Sequence, residues 1–395
     1  MADARDLLPD QQILSDIFPD VPNITTDLCT VISNTFKTCT FRLSLATEPR
    51  PGFPRDLIIR LETSGRHLAT VVELQQLAHH QIPHLVPATL VVGSATNANG
   101  RQVDYSITPF LVGTTVLEEV WEGLNQRNQQ SLMEAIVVAM GELQKVSIHN
   151  PEVHLIIQRY CKTAPESQLL RKASLGNRNT GFHSDIKQFL EATLDERTVK
   201  LKACEILDTG HGITVRSAVD EIGGIELSQS DLDHLMSHIV FCHNDLEPRN
   251  ILIKQVGDSG SGKYELAAII DWEMAGFYPF AYESAIKDTE AGSGCQWFNW
   301  YSLYKEHTAK FIPKEESHEK LIKAVQIIAA SQESTRGRNV GVQIRAKWIK
   351  RERLAMSSDV RLGWVREDGA GQLPASTKQT NYKLELEVLR EMGYI

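Results

Sequence analysis

Short apolar runs of strand character, broken by turn residues, dominate the first hundred positions. Thr38–Leu45 and Leu57–Leu61 read as strands separated by the turn-rich Pro49–Pro54. From Arg66 to Gln81 the period changes: Leu68, Val71, Val72, Leu74, Leu77 and Ala78 recur at helical spacing, and Pro83 stops the helix. Two further strands are predicted at Ala88–Val92 and Val103–Pro109, joined by the Asn- and Gly-rich loop Ser94–Arg101. Strand, strand, helix, strand, strand is an α+β unit.

Beyond Phe110–Gly113 the pattern turns helical. Ser131 and Glu134 have capping-box spacing ahead of Leu132, Ile136, Met140, Leu143 and Val146. Ser228 and Asp231 make a second such start, before Leu232, Leu235, Met236 and Ile239. Residues 239–271 then return to strand signals inside this helical half. The organisation expected is an amino-terminal lobe over 1–112, a carboxy-terminal lobe over 113–330, and an extension over 331–395 packed on the second lobe. No internal repeat or long low-complexity tract interrupts it.

Composition narrows the function classes. Hydrophobic residues are 42% and charged residues 23% of the 395, which is ordinary for a globular chain. The formal net charge of −9 argues against general nucleic-acid binding, which needs a basic surface for phosphate contacts. The start MADARDLLPDQQ lacks the basic and apolar regions of a signal peptide, and no apolar run approaches a membrane span. The six cysteines (29, 39, 161, 204, 242 and 295) show no CxxC spacing, so reduced structural thiols in a cytoplasmic protein are expected.

The chemistry is concentrated in Ile239-Val-Phe-Cys-His243-Asn-Asp245-Leu-Glu-Pro-Arg-Asn250-Ile-Leu-Ile253. A strand-like run enters a polar loop and an apolar strand leaves it. The turn composition Gly257-Asp-Ser-Gly-Ser-Gly262 follows, and the chain returns through Leu266–Ile270 to Asp271-Trp272-Glu273. The midpoint of positions 250 and 271 falls between Gly260 and Ser261. An antiparallel hairpin centred there sets Asn250 beside Asp271 at its open end, with Asp245 on the loop just before. Two carboxylates and a carboxamide are hard oxygen ligands, the set that suits Mg²⁺.

His243-x-Asp245-x-x-x-x-Asn250 followed by Asp271-x-Glu273 resembles the aminoglycoside phosphotransferase and choline kinase group, relatives of the protein kinases. The resemblance covers 239–283 strongly and extends to roughly 30–285. It implies a two-lobed protein-kinase-like fold and transfer of the γ-phosphate of ATP to a hydroxyl of a small molecule. Asp245 would orient or deprotonate that hydroxyl, Asn250 and Asp271 would hold Mg²⁺, and His243 would orient the loop. Arg60 stands where these families carry a phosphate-binding lysine on a strand, and Glu73 on the following helix matches its acidic partner. The nucleotide base is expected at the hinge Ile107–Val112, with Phe110 a cofactor-binding residue.

The chain departs from the pattern in two places. No glycine occurs in Ser33–Thr38, between the first two strands, where these families cover the phosphates. Ser33, Thr35, Lys37 or backbone amides are the candidates left for that contact. Arg60 in place of lysine substitutes a planar fork for a point charge. A non-catalytic pseudokinase module is therefore the alternative from another class, opposed by the joint presence of Asp245, Asn250 and Asp271. A protein kinase is the alternative among enzymes, opposed by Glu247, by Asp-Trp-Glu instead of Asp-Phe-Gly, and by the lack of Ala-Pro-Glu. His79, His80 and His84 read as helix-end residues, and Cys242 as a small buried residue closing a strand. The basic run Arg336–Arg353 reads as a solvated helical face with Val342, Trp348 and Ile349 turned inward.

Overall fold

A computed structural model describes residues 7–35, 37–65, 68–148, 150–151, 153, 175–194, 203–257, 263–335, 339–369, 373 and 376–395. Phe36, Arg66, Cys161, Arg336, Arg338 and the centre of the predicted turn at Gly260–Ser261 lie outside the described residues.

The amino-terminal lobe is a five-stranded antiparallel sheet in the order β1-β2-β3-β5-β4. Its strands are β1 (Cys29–Asn34), β2 (Thr38–Ser44), β3 (Asp56–Thr63), β4 (Val91–Thr96) and β5 (Gln102–Pro109). Alternation sets its faces: Cys39, Phe41 and Leu43 of β2 join Leu57, Ile59 and Leu61 of β3 in one apolar layer. Helix α1 (Gln11–Ile17), whose N-cap Asp10 accepts from the Ile13 amide at 2.8 Å, covers that layer with Ile13, Leu14 and Ile17. Helix α2 (Leu68–Gln81) places Leu74, Leu77 and Ala78 in the core of the second lobe. It therefore ties the lobes together. The strand read at Ala88–Val92 begins three residues later, at Val91, with the Leu90 amide already donating to the Ile107 carbonyl at 2.8 Å.

In the larger lobe, β6 (Thr114–Val116) edges a sheet of order β14-β13-β6. Helix α3 (Gln126–Leu143) buries Leu132, Met133, Ile136, Met140 and Leu143. Its cap is Asn125, whose side chain accepts from the Asn128 amide at 2.9 Å. The start read at Ser131 is corrected: the earlier Asn125 cap wins, and Ser131 lies inside the helix. Strands β7 (Leu175–Asn177) and β8 (Gly181–His183) precede α4 (Ile186–Thr193). A three-stranded sheet follows, made of β9 (Cys204–Asp208), β10 (Gly212–Ser217) and β11 (Gly224–Ser228). Helix α5 (Gln229–Ser237) starts at Ser228 with the capping box to Asp231 that the spacing predicts.

Then come β12 (Ile239–Cys242), β13 (Ile251–Val256), β14 (Lys263–Ile269) and β15 (Gly276–Pro279), in sheets β12-β15-β7-β8 and β14-β13-β6. Helices α6 (Phe280–Glu290), α7 (Phe298–Thr308) and α8 (Glu316–Thr335) complete the lobe. Beyond it, α9 (Val340–Glu352), β16 (Leu354–Met356), β17 (Trp364–Arg366) and α10 (Lys378–Glu391) share a separate small core. There Trp348, Leu354, Leu384 and Val388 pack against Ala291, Phe298 and Tyr301. Burying such large apolar side chains is worth about 1.5–3 kcal/mol each, enough to hold this carboxy-terminal segment in place.

Three basic residues of α9 are tied to neighbouring helices, while Lys350 is exposed. Arg345 meets Glu333 at 2.5 Å, Lys347 pairs with Glu387 and Glu391, and Arg351 donates to Asn381 at 2.8 Å. Trp348 is fully buried, as the helical face predicts. No described helix is long and apolar enough to cross a membrane.

Candidate active site

The polar loop between β12 and β13 is locked from beneath. Trp272 stacks parallel on Phe241 at 5.9 Å and sets its edge against His243 at 4.6 Å. The His243 ring is buried; its Nδ1 accepts from the Asp245 amide at 3.3 Å, so Nε2 carries the proton and donates to the Ile270 carbonyl at 3.0 Å. Burial lowers the pKa of His243 against the pull of nearby carboxylates, Asp245 first. A neutral ring with both nitrogens engaged holds loop geometry and is not placed to exchange protons.

Asp245 is nearly buried, its side chain 13% exposed. Its Oδ1 accepts from Arg249 Nη2 at 2.5 Å and its Oδ2 from Asn250 Nδ2 at 2.8 Å. The same Asn250 nitrogen also donates to the Asp245 carbonyl at 2.7 Å. These bonds fix the Asn250 amide with its nitrogen toward Asp245 and its Oδ1 turned away. Glu247 is anchored by a buried ion pair with Lys287 of α6, Oε1 to Nζ at 2.6 Å.

The hairpin brings the second carboxylate in. Ile270 N–H donates to the Asn250 carbonyl at 2.9 Å, so Asp271 lies one residue past that pairing. The register differs slightly from the arithmetic. Ile251 pairs with Ile269, not Ile270, and a bulge between Leu252 and Ile253 shifts the strands again. Asp271 itself has φ 62°, and Asn244 has φ 60°. Asn and Asp tolerate this left-handed region better than other non-glycine residues, and such backbone concentrates where geometry is functional.

Arg60 comes from the other lobe. On β3 it alternates with Ile59 and Leu61, so it lies on the face away from the apolar layer, the same face as Glu62. Its Nε donates to Glu62 at 2.9 Å, its Nη1 to Asp271 Oδ1 at 2.9 Å, and its Nη2 to Glu273. Burial alone would lower the Arg60 pKa; Asp271, Glu62 and Glu273 overcome it and hold the guanidinium charged. Glu73 is buried on α2 and is not among these three carboxylates.

A second arginine completes the network, and no motif signals it. Arg178, in the turn between β7 and β8, donates to both Glu62 oxygens at 3.1 and 3.2 Å and to Glu273 at 3.3 Å. Its side chain is 2% exposed and that of Glu62 is fully buried. What delivers it is a close strand approach: a Cβ on Gly276 would lie 2.1 Å from the Gly176 carbonyl. Only glycine lets β15 and β7 meet there, which brings the β7–β8 turn against Glu273. Arg249 is the other unforeseen member, although it stands inside the motif four residues after Asp245.

The remaining sequence candidates fall as follows. Phe110 lies at the hinge with the Arg42 guanidinium 4.0 Å over its ring, and Arg42 is held at 2.5 Å by Asp56. The glycine-free loop is a compact turn between the Asn34–Cys39 pair. Thr35 N–H donates to the Thr38 carbonyl at 2.8 Å, while the Lys37 and Thr38 amides donate to Thr35 Oγ1. Those amides are spent inside the turn and not turned toward a ligand. His79 bonds the Val86 carbonyl at 2.6 Å, and Cys242 is buried with its thiol pKa pushed far up by burial. Neither belongs to the site.

A β-rich lobe facing a mainly helical one, with carboxylate and carboxamide side chains gathered on the loop and hairpin mouth, is the protein-kinase-like architecture. The chain belongs to the phosphotransferase enzyme family, whose model matches residues 50–286, a stretch containing Arg60, Arg178, Asp245, Arg249, Asn250 and Asp271. Comparison with curated proteins finds no match.

Among solved structures the chain is similar to a thermostable mutant of aminoglycoside phosphotransferase APH(4)-Ia in ternary complex with AMP-PNP and hygromycin B. The identity is 13%, over 92% of this chain and 99% of that one, with a TM-score of 0.49. It is also similar to an aminoglycoside 2'-phosphotransferase-IIIa mutant in complex with GDP (13%, 97% and 95%, TM-score 0.44). A microcompartment-associated aminopropanol kinase follows (10%, 92% and 90%, TM-score 0.39).

Proposed function

We propose that this phosphotransferase moves the γ-phosphate of ATP to a hydroxyl of a small molecule, with Asp245 at the reacting centre. The observation that carries the reading is the shared hydrogen-bond frame in which Arg249 and Asn250 aim the Asp245 carboxylate while Asp271 lies across the hairpin. Phosphoryl transfer asks the protein mainly for positioning and charge neutralisation, and this frame supplies both.

The donor set fits Mg²⁺. Asn250 spends its amide nitrogen on Asp245, so its carbonyl oxygen is the atom offered to a cation. Arg60 takes Asp271 Oδ1, leaving Oδ2 as the second hard oxygen. When bound with the nucleotide, the ion neutralises phosphate charge. Asp245 accepts the acceptor hydroxyl's proton, or orients that hydroxyl, with its two oxygens fixed by Arg249 and Asn250. His243, uncharged, keeps the loop in shape from below. Arg60 and Arg178 neutralise Glu62 and Glu273 beside the metal ligands, which supports a nucleotide-facing role for Arg60 on β3. The lobes divide near residue 112, and the segment after 330 buttresses the second lobe; the separate cores of the five-stranded sheet and of the carboxy-terminal segment support that division, with α2 as the element that crosses it.

The test is an ADP-release screen with Mg·ATP over amino-alcohols, aminoglycosides, sugars and hydroxylated natural products. Turnover that needs both Mg²⁺ and one acceptor class is expected. Failure of the protein to bind Mg·ATP at all, by calorimetry, would sink the reading in favour of a pseudokinase-type module.

A further inference from the structure

We infer that His234, His238 and His318, on the face of the second lobe where α5 meets α8, form a binding site for a transition-metal cation of the zinc type. The nitrogens these rings can offer all lie within 4.8 Å of one another. Their ring centroids are 4.3 to 5.4 Å apart. Three imidazoles on a tetrahedral ion, each about 2.0–2.1 Å from it, bring their nitrogens to about 3.4 Å apart. Small ring rotations close that difference.

The independent observation is His318. It is fully buried, and both of its ring nitrogens lack a hydrogen-bond partner. An imidazole always carries at least one N–H, and a buried polar atom without a partner is costly, so native structures rarely keep one unless something occupies it. A cation between the three rings takes up the lone pair of one His318 nitrogen, which removes one of the two orphaned atoms and leaves the N–H on the other nitrogen.

The other two rings are already oriented as ligands. His238 Nδ1 lies 2.8 Å from the His234 carbonyl, which fixes the proton there and leaves Nε2 with its lone pair. His234 Nδ1 lies 2.7 Å from Ser317 Oγ. Ligating histidines are held in this way, by an outer partner on the nitrogen away from the metal. Three nitrogen donors with no thiolate or carboxylate select zinc, cobalt, nickel or copper over magnesium or calcium.

The site has a structural consequence. His234 and His238 lie at the end of α5, and His238 is followed at once by β12, which feeds the loop of His243 and Asp245. His318 lies in the first turns of α8. An ion there clips α5, and the strand leading to the active site, onto the 20-residue helix α8. It stands apart from the phosphotransfer residues and does not depend on their assignment.

The test uses the full chain stripped with a chelator and titrated with Co²⁺, whose tetrahedral complexes absorb in the visible. One equivalent should bind with such a band, zinc should displace it, and saturating zinc should raise Tm by about 4 °C. Because His318→Ala empties a buried position, His234→Ala and His238→Ala carry the comparison. Each should fold and lose both the band and the zinc-dependent rise. An absent band in the wild type, or an equal band or equal rise in both variants, overturns the site and places any bound ion elsewhere, such as at the cysteines.

Discussion

Asp245→Asn separates the chemistry of the site from its architecture. The carboxylate accepts from two donors, Arg249 on Oδ1 and Asn250 on Oδ2. An amide has one oxygen, so one donor must lose its acceptor. Asn250 is also tied to the Asp245 carbonyl at 2.7 Å, whereas Arg249 is 40% exposed and can turn to water. The cheaper arrangement keeps the new amide oxygen on Asn250 and releases Arg249. A partly exposed ion pair of this kind is worth roughly 0–1 kcal/mol, so Tm should fall by only a few degrees. Asn250 keeps its orientation, and with it the oxygen proposed for the metal. Affinity for a non-hydrolysable Mg·ATP analogue should therefore stay within about threefold of wild type, less than 0.7 kcal/mol. The rate should not survive: a positioned proton acceptor is worth on the order of 10²–10⁴. Calorimetry with the analogue and steady-state ADP release on one preparation read the two effects. Collapse of affinity with kcat preserved at saturating ATP would make Asp245 a metal ligand and refute the division of labour.

Three further expectations follow from the same geometry. Asp271→Asn tolerates the left-handed backbone and removes only charge; Mg²⁺-dependent nucleotide affinity should drop on the order of 100-fold with the circular dichroism spectrum unchanged, and intact affinity would remove Asp271 from the site. Arg60→Ala leaves the fully buried Glu62 to Arg178 alone, so a stability loss of about 1.5–3 kcal/mol in urea is expected together with a raised KM for ATP; loss of neither would make Arg60 a surface residue. Burial, only partly offset by Lys287, raises Glu290 to about 7. Its ordinary value in the unfolded chain is lower, so folding takes up a proton between the two, and that stability is present below pH 4.5 and lost as pH rises through 7. Glu290→Gln should flatten this dependence and stabilise the protein at pH 8 by up to about 3 kcal/mol; parallel pH profiles for variant and wild type would contradict it.

What the sequence determined by itself was local. Alternation in β2 and β3, the helical spacing of Leu68–Ala78 and the Ser228 capping box each place a few neighbouring residues, and neighbours decide them. The candidate site was legible for the same reason. Asp245 and Asn250 share one loop, and Asp271 returns on a hairpin of about twenty residues, so a short stretch of chain nearly closes the geometry. Where two local signals competed, the sequence misled: Ser131 offered a cap, but Asn125 offered one six residues earlier and more turns of buried face.

Tertiary structure decided the rest. The strand that carries Arg60 was legible, yet the partners of Arg60 were not, because Asp271 and Glu273 lie 211 and 213 positions away. Arg178 reaches Glu62 across 116 positions only because Gly276 and Gly176 let two strands touch. His234 and His238 show their one-turn spacing in the sequence, but His318 joins them only when α8 packs on α5. Periodicity reports which face of an element is apolar; it carries no information about which distant polar group that burial will bring alongside. That is set by the packing of whole elements, and a charged network or a metal site assembled across elements can be seen only after they have packed.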